Sequence, residues 1–246
     1  MSAFAGIILA GGRGERLTDI RSASGRDGRL PKPLVNINET PMVENNVLLK
    51  KDVFGFLKVH PVIIAAGVNS QNFQRWLSQY EHKGRIIIDD RKFPGSAQAV
   101  VEATRLVNPM IGYVVTSGDE IAERFNLDSF LKTVEESRFK ATLAIQLSSG
   151  LGRNRVIHKD GARIVSTCLE PKGYKAKDIG YISLGILAIK RGYEDFIKYT
   201  EGENWDGMLL PFIAQGLLGV HVVSGVCFHN VNYASDHQRA SRALNN

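Results

Sequence analysis

"FAGIILAGGRGERL", Phe4 to Leu17, carries a short apolar run straight into a polar loop that holds Gly11, Gly12, Gly14, Arg13 and Arg16. The run reads as a buried strand. Glycines that follow such a strand permit left-handed backbone and remove side chains, so that main-chain N–H groups can converge on a phosphate. Two readings are open at this point, a phosphate cradle and an ordinary glycine turn. Two familiar nucleotide patterns do not fit: G-x-x-x-x-G-K-[ST] is absent, and G-x-G-x-x-G breaks because Leu17 follows Arg16.

Outward from this stretch, strand-like apolar segments alternate with helix-like ones. Strands are expected at Gly6–Leu9, His60–Ala65, Arg85–Ile88, Gly112–Thr116, Thr142–Gln146, Gly185–Ile189 and Val220–Val223. Helices are expected at Met42–Phe54, Gln71–Tyr80, Ser96–Arg105, Asn126–Arg138 and Tyr193–Thr200. The clearest helix has Leu127, Phe130, Leu131 and Val134 at i, i+3, i+4, i+7, with Lys132, Glu135 and Glu136 between them. Such alternation predicts an α/β fold: a Rossmann-like mixed, mostly parallel central sheet flanked by helices. Between Ser148 and Gly180 the pattern changes to a β-hairpin insertion, with Lys159-Asp160-Gly161-Ala162 as its turn. No repeat and no low-complexity linker divides the 246 residues, so one domain is expected, with a nucleotide half over about 1–145 and a second-substrate half over about 146–246.

Composition narrows the function classes. Apolar runs such as Ile7 to Ala10 and Leu209 to Ala214 fall well short of the roughly 20 residues of a spanning helix. No signal-type start is present, and the chain reads as unprocessed, soluble and cytoplasmic. Cys168 and Cys227 lie far apart without metal-ligand spacing and read as free thiols. The net charge of +6 favours anionic partners. The basic residues are scattered apart from a cluster between Arg13 and Lys32, which fits a local phosphate site and not a nucleic-acid track.

A second motif, "LPKPLVNINETPM", places Lys32 between Pro31 and Pro33. Proline disfavours helical geometry at the residue before it, so Lys32 is expected in a stiff extended segment that sets its charge against a phosphate. Together, "LAGGRGERL" and "PKPLVNINETPM" resemble the N-terminal signature of the sugar nucleotidyltransferases, the nucleotide-diphosphate-sugar pyrophosphorylases, L-A-G-G-x-G-T-R-L followed by P-K-P-L. The chain is similar in outline to the glucose-1-phosphate thymidylyltransferases and mannose-1-phosphate guanylyltransferases.

The resemblance implies the fold of that family, a nucleotide-diphospho-sugar transferase fold. It also implies a reaction in which a nucleoside triphosphate and a sugar 1-phosphate give an NDP-sugar and pyrophosphate with Mg2+ as cofactor. Leu9, Ala10, Gly11, Gly12 and Gly14 would then surround the nucleotide, and Arg16 and Lys32 would be catalytic. "PGSAQAV" resembles the family's G-L-A-Q-A segment, which puts Gly95 and Gln98 against the base and ribose and tilts the base slightly towards thymine or uracil, with guanine and cytosine, which short members of the family also use, still open. In "YVVTSGDEI", Asp119 falls on the family's magnesium ligand, at a strand end where α/β ligands gather. "FHNVNYASDHQRA" lines up with W-x-D-I-G-T-P-E-D, so Asn230 falls on the second metal-binding aspartate. It brings a carbonyl oxygen and no charge, so the site would hold magnesium more weakly or share it with Asp236, His229 or substrate oxygens.

The sugar half departs further from the pattern. E-K-P is inverted as Glu170-Pro171-Lys172, Y-G-V is replaced by Asn154-Arg155-Val156, and Gly185 keeps the glycine of the G-I-Y strand while Leu187 replaces the tyrosine. Glu170, Lys172 and Gly185 are the sugar-binding candidates. Glu15 stands where the family has threonine, and Thr18–Leu30 is longer than the family's connection, a lid over the triphosphate or a surface insertion. A catalytically weakened nucleotide- or sugar-phosphate-binding regulatory protein is the alternative, motivated by Glu15 and Asn230. A glycosyltransferase is disfavoured because no D-x-D pair is present. The expected partners are the two substrates, with no nucleic acid and no membrane, and family analogy allows a homo-oligomer.

Overall fold

The computed structural model describes residues 3–11, 30–50, 57–81, 83–91, 95–149, 155–169, 179–198 and 205–244. Its strands are β1 (Phe4–Leu9), β2 (Asn36–Ile37), β3 (Thr40–Pro41), β4 (Val62–Ala65), β5 (Ile86–Asp89), β6 (Gly112–Ser117) and β7 (Glu120–Glu123). They continue as β8 (Ala141–Ser148), β9 (Arg155–Asp160), β10 (Arg163–Leu169), β11 (Gly180–Lys190), β12 (Leu218–Val223) and β13 (Cys227–Asn230). The helices are α1 (Ser70–Gln79), α2 (Ser96–Thr104), α3 (Leu127–Glu136), α4 (Asp195–Lys198), α5 (Trp205–Ala214) and α6 (Ala234–Ala243).

Among the described residues, nine strands form one sheet in the order β5-β4-β1-β6-β11-β8-β12-β10-β9. The pairs β4–β5, β1–β4, β1–β6 and β8–β12 are parallel. β11 runs antiparallel to β6, β8 and β9, and β10 runs antiparallel to β12 and β9. The expected mixed α/β sheet is present, with β10 and β11 as its reversed strands. The expected hairpin insertion is β9–β10, but its turn lies one residue further along than Lys159–Ala162: Asp160 pairs with Arg163, and Gly161-Ala162 make the connection.

β1 is apolar throughout because both its faces are covered. Successive side chains of a strand point to opposite sides. Phe4 and Ile8 therefore join one core with Phe73 of α1 and with Phe130 and Val134 of α3, while Ala5 and Ile7 join another with Val100 of α2 and Phe212 of α5. Burying a side chain the size of Phe130 stabilises the fold by about 1.5–3 kcal/mol relative to leaving it in water. Asn126 caps α3 by accepting the Ser129 N–H at 3.0 Å, so this helix begins where its sequence pattern begins.

Two expected helices differ. Met42–Phe54 is not one helix: Met42–Asn45 and Val47–Leu49 are separate 3-10 turns, and residues 51–56 lie outside the described set. The break is at buried Asn46, which is extended and spends its carboxamide on three bonds. It accepts from Leu48 N–H at 3.1 Å and from the Thr116 hydroxyl at 3.0 Å, and it donates to Ser117 O at 2.9 Å. The predicted Tyr193–Thr200 helix is reduced to α4, with Thr200 outside the described residues. Helices α5 and α6 lack a sequence signal for physical reasons. α5 is apolar and contains Pro211, and Ala240 is the buried residue of a mostly polar α6.

Candidate active site

The parallel strands β1, β4, β5 and β6 deliver their C-terminal ends to one rim, where ligands of open α/β sheets bind. Backbone bonds hold the rim together: Ala10 N–H to Ala65 O at 3.0 Å, Ala66 N–H to Asp89 O at 3.0 Å, and Gly118 N–H to Leu9 O at 2.9 Å. Leu9, Ala10 and exposed Gly11 lie on this rim, while Gly12, Gly14 and Arg16 lie outside the described residues, as do Glu15 and the stretch 18–29.

The chain returns to the rim at Pro31. Lys32 does not lie in an extended segment. It opens a 3-10 turn, Lys32–Leu34, closed by Leu34 N–H to Pro31 O at 2.9 Å. The extended residue is Pro31 (φ −55°, ψ 142°), because the first residue of the turn tolerates Pro33 behind it. This turn sits directly on the end of β6. A Cβ on Gly118 would lie 3.0 Å from Pro33 Cγ and 3.3 Å from Leu9 O, so glycine at 118 lets the PKP motif pack against the strand end that carries Asp119.

That packing brings Lys32 and Asp119 together. Lys32 is buried, and its ammonium donates to Asp119 Oδ2 in an ion pair and to Asn232 Oδ1 at 2.8 Å. The other Asp119 oxygen accepts from the Ser117 hydroxyl. Antiparallel pairing of β7 with β13 sets Asn230 opposite Glu120, and Val231 N–H bonds Asp119 O at 3.0 Å. Asn232 Nδ2 then donates to Asn230 Oδ1 at 2.5 Å, and Asn230 Nδ2 reaches Glu120 Oε1 at 3.5 Å. One polar chain therefore joins Ser117, Asp119, Lys32, Asn232, Asn230 and Glu120.

Gly185 belongs to the same neighbourhood. β11 is irregular between Ser183 and Leu187, and Gly185 has φ +64° with its α-carbon against the Glu120 carboxylate. A Cβ there would lie 1.6 Å from Glu120 Oε2, so a side chain could not be added without moving Glu120. Glu170 and Lys172 lie outside the described residues.

Gly95 precedes α2 in extended conformation, and Gln98 donates from Nε2 to Glu102 Oε1 at 2.9 Å, one turn along the same helix. Glu102 also receives Arg91 Nη1 at 3.2 Å, and Arg91 makes a bidentate pair with buried Asp89, Nε–Oδ1 at 2.9 Å and Nη2–Oδ2 at 2.8 Å. The paired carboxylate holds the Arg91 guanidinium above its ordinary pKa. Asp236 and His229 are engaged elsewhere. Asp236 Oδ2 accepts the N–H groups of Asn232 at 3.0 Å and Tyr233 at 2.9 Å at the start of α6, and His229 Nε2 lies 3.2 Å from Cys227 Sγ.

Sequence reasoning did not single out Asn232, Asn46 or the Asp89–Arg91 pair. For Asn232 the signal exists in the aligned C-terminal segment, where it takes the place of the glycine in W-x-D-I-G-T-P-E-D. Asn46 has no motif to betray it, and the Asp89–Arg91 pair needs the end of β5 to be located first. As for a metal, the site offers the Asp119 carboxylate and the Asn230 carbonyl, both hard oxygen donors. That set fits Mg2+, which is commonly held by one or two carboxylates together with substrate phosphates.

The nucleotidyl transferase family model matches residues 5–206, most of the chain, and the chain belongs to that family. Solved structures share the fold. A Bacillus anthracis protein described as a glucose-1-phosphate thymidylyltransferase, crystallised with sucrose, aligns over 98% of this chain and 95% of its own at 19% identity and a TM-score of 0.77. HddC from Yersinia pseudotuberculosis, in complex with GMP-PN, aligns over 98% and 99% at 18% identity and a TM-score of 0.74. No curated protein matches the sequence. Among the described residues, no helix is long and apolar enough to cross a membrane.

Proposed function

We propose that this nucleotidyltransferase joins a nucleoside triphosphate to a sugar 1-phosphate, releasing an NDP-sugar and pyrophosphate, with Mg2+ as cofactor. A phosphate oxygen of the sugar 1-phosphate attacks the α-phosphorus, and the bond from that phosphorus to the β-phosphate bridging oxygen breaks as pyrophosphate departs. Such chemistry needs charge neutralisation and in-line positioning more than a protein nucleophile. The observation that carries the reading is the buried Lys32 ammonium, fixed at the strand-end rim by Asp119 and Asn232.

In this reading the backbone of 9–14 cradles the triphosphate, and Arg16 and Lys32 balance the charge that develops on its oxygens. As the phosphates bind, they compete with Asp119 for the lysine. Asp119 and the Asn230 carbonyl are the metal-holding groups, and the ion, when bound, supplies Lewis-acid polarisation of the phosphates. Gly95 and Gln98 face the base and ribose, with Gln98 exchanging its bond to Glu102 for the base. Glu170, Lys172 and Gly185 serve the sugar phosphate, which divides one domain into a nucleotide half, about 1–145, and a sugar half, about 146–246. A second reading, a binding protein with weakened chemistry, is favoured by the two neutral amides, Asn230 and Asn232, in the segment beside Asp119.

The test is pyrophosphate release from the purified chain with Mg2+, each common nucleoside triphosphate and a panel of sugar 1-phosphates. Thymidine and guanosine triphosphates belong in every set, because one structural neighbour is described as a thymidylyltransferase and another was crystallised with GMP-PN. Turnover with one pair supports the enzyme. Nucleotide binding without pyrophosphate from any pair would support the second reading.

A further inference from the structure

The β7–β13 pair has two faces. Residues directly opposite in an antiparallel pair share a face, and faces alternate along each strand. Asn230 and Glu120 lie on the face that meets the active site. Cys227 and Glu123 pair directly, and His229 follows two residues after Cys227, so all three project from the other face. One ligand atom from each of Glu123, Cys227 and His229 lies within 4.8 Å of the others, and all three residues are half-buried. Cys227 carries no disulfide.

We propose that Glu123, Cys227 and His229 form a binding site for a soft divalent cation of the zinc class. The donor set is thiolate, imidazole and carboxylate, which selects zinc, cobalt or copper and not magnesium. It carries two negative charges when the thiol is deprotonated, matching the ion. The geometry is close to that of a bound site. A tetrahedral ion with bonds of about 2.3 Å to sulfur and about 2.0–2.1 Å to nitrogen separates those two atoms by about 3.5 Å. Cys227 Sγ and His229 Nε2 stand 3.2 Å apart, so they need to part by a few tenths of an ångström. Glu123 supplies the third ligand and water the fourth. Lys50, whose ammonium bonds Ala122 O at 3.3 Å and interacts with Glu123, and Arg124 and Arg239, which act on Cys227 and His229, are the nearby cations that the metal must outcompete.

A metal at this position fastens β7 to β13. Those strands lead from Asp119 and into Asn232, so the ion locks the backbone that sets the polar network. It does so from the reverse side and touches no residue of that network.

The experiment titrates Co2+ into the untagged, reduced, metal-free chain. One equivalent binds with thiolate-to-cobalt charge-transfer absorption and the strong visible bands of a four-coordinate ion, and Zn2+ displaces it. Cys227→Ser abolishes the charge-transfer band, His229→Gln and Glu123→Gln weaken binding more than about tenfold, and Cys168→Ser leaves it intact. Zinc also raises the melting temperature of the parent chain and not of Cys227→Ser. Absence of a thiolate band in the parent, its survival in Cys227→Ser, or its loss in Cys168→Ser would each overturn the site. Should a variant misfold, the parent decides: zinc must slow alkylation of Cys227, mapped by peptide mass, and unchanged alkylation refutes the proposal.

Discussion

Replacing Lys32 by methionine keeps most of the buried stem and removes the ammonium. Two consequences differ in size. The first is on stability: Asp119 loses its ion pair and Asn232 Oδ1 loses a donor. Breaking a dry buried pair costs about 3–5 kcal/mol. Here the Asp119 side chain is 21% exposed and keeps the Ser117 hydroxyl, so water and that bond recover part of the loss. The expected destabilisation is about 1–2 kcal/mol, within the range for one unsatisfied polar group. Against a typical total of about 5–15 kcal/mol, the variant remains folded.

The second consequence is on the reaction. A positioned group that stabilises charge only as the transition state forms contributes about 2.7–4 kcal/mol, or about 10²–10³ in turnover. Lys32→Met should therefore lower kcat by about that factor with a small change in KM, while urea unfolding shows a cooperative transition shifted by the smaller amount. Adding Asp119→Asn to Lys32→Met removes the stranded carboxylate and should recover part of the stability without recovering turnover. The assay is pyrophosphate release with the substrate pair selected by the panel, alongside urea titration of the same preparations. A kcat within about threefold of the parent, or a loss confined to KM, would refute the catalytic role of the ammonium.

Asp119→Asn should abolish the saturable dependence of pyrophosphate release on Mg2+, and a titration curve identical to the parent's would remove Asp119 as a ligand. Asn230→Asp should shift that curve to lower Mg2+; an unmoved curve would separate residue 230 from the cation. Gly185→Ala forces a side chain into a φ +64° position against Glu120, and should cost at least about 1–3 kcal/mol in urea unfolding; an unchanged midpoint would refute the close approach. Burial among Phe125 and Phe130 holds His221 below its ordinary pKa of 6.5, so below that pH the unfolded chain takes up a proton that the folded chain refuses. Stability should fall as pH drops through this window, by up to about 1.4 kcal/mol per unit for that proton, and His221→Phe should flatten the slope measured between pH 7.5 and 5.5. An equal slope in both proteins would refute the assignment.

β1 and β4 were legible because both their faces are buried and they appear as uninterrupted apolar runs, while β6 and β8 keep an apolar stretch at Tyr113–Val115 and Leu143–Ile145. α3 was legible because its stripe and cap coincide. The Met42–Phe54 segment misled because its apolar residues satisfy a helical spacing while buried Asn46, held by Thr116 and Ser117 from a distant strand, prevents the helix. For the site, motifs identified Lys32 and Asp119 from positions 87 residues apart, and the fold joins them. Asn232, a further 113 residues along from Asp119, could not be placed by spacing, since its role depends on β13 pairing beside β7.

The two amides follow from the charge around them. Glu120 is fixed against Gly185 and faces residue 230, whose amide donates to it. An aspartate at 230 would lose that donation and set a second carboxylate against Glu120, where like charges raise one another's pKa. Asn232 gives Asn230 a donor from the other side while its own carbonyl steadies Lys32. Replacing charge by amide therefore keeps the bonding continuous from Glu120 to Lys32, and it leaves Asp119 as the carboxylate paired with the lysine and, in the proposed reaction, with the cation. The same reasoning makes Asn230→Asp a trade. Without Mg2+ the variant should unfold at lower urea than the parent, and with Mg2+ it should regain the difference, because the ion then neutralises the carboxylate that Glu120 repels.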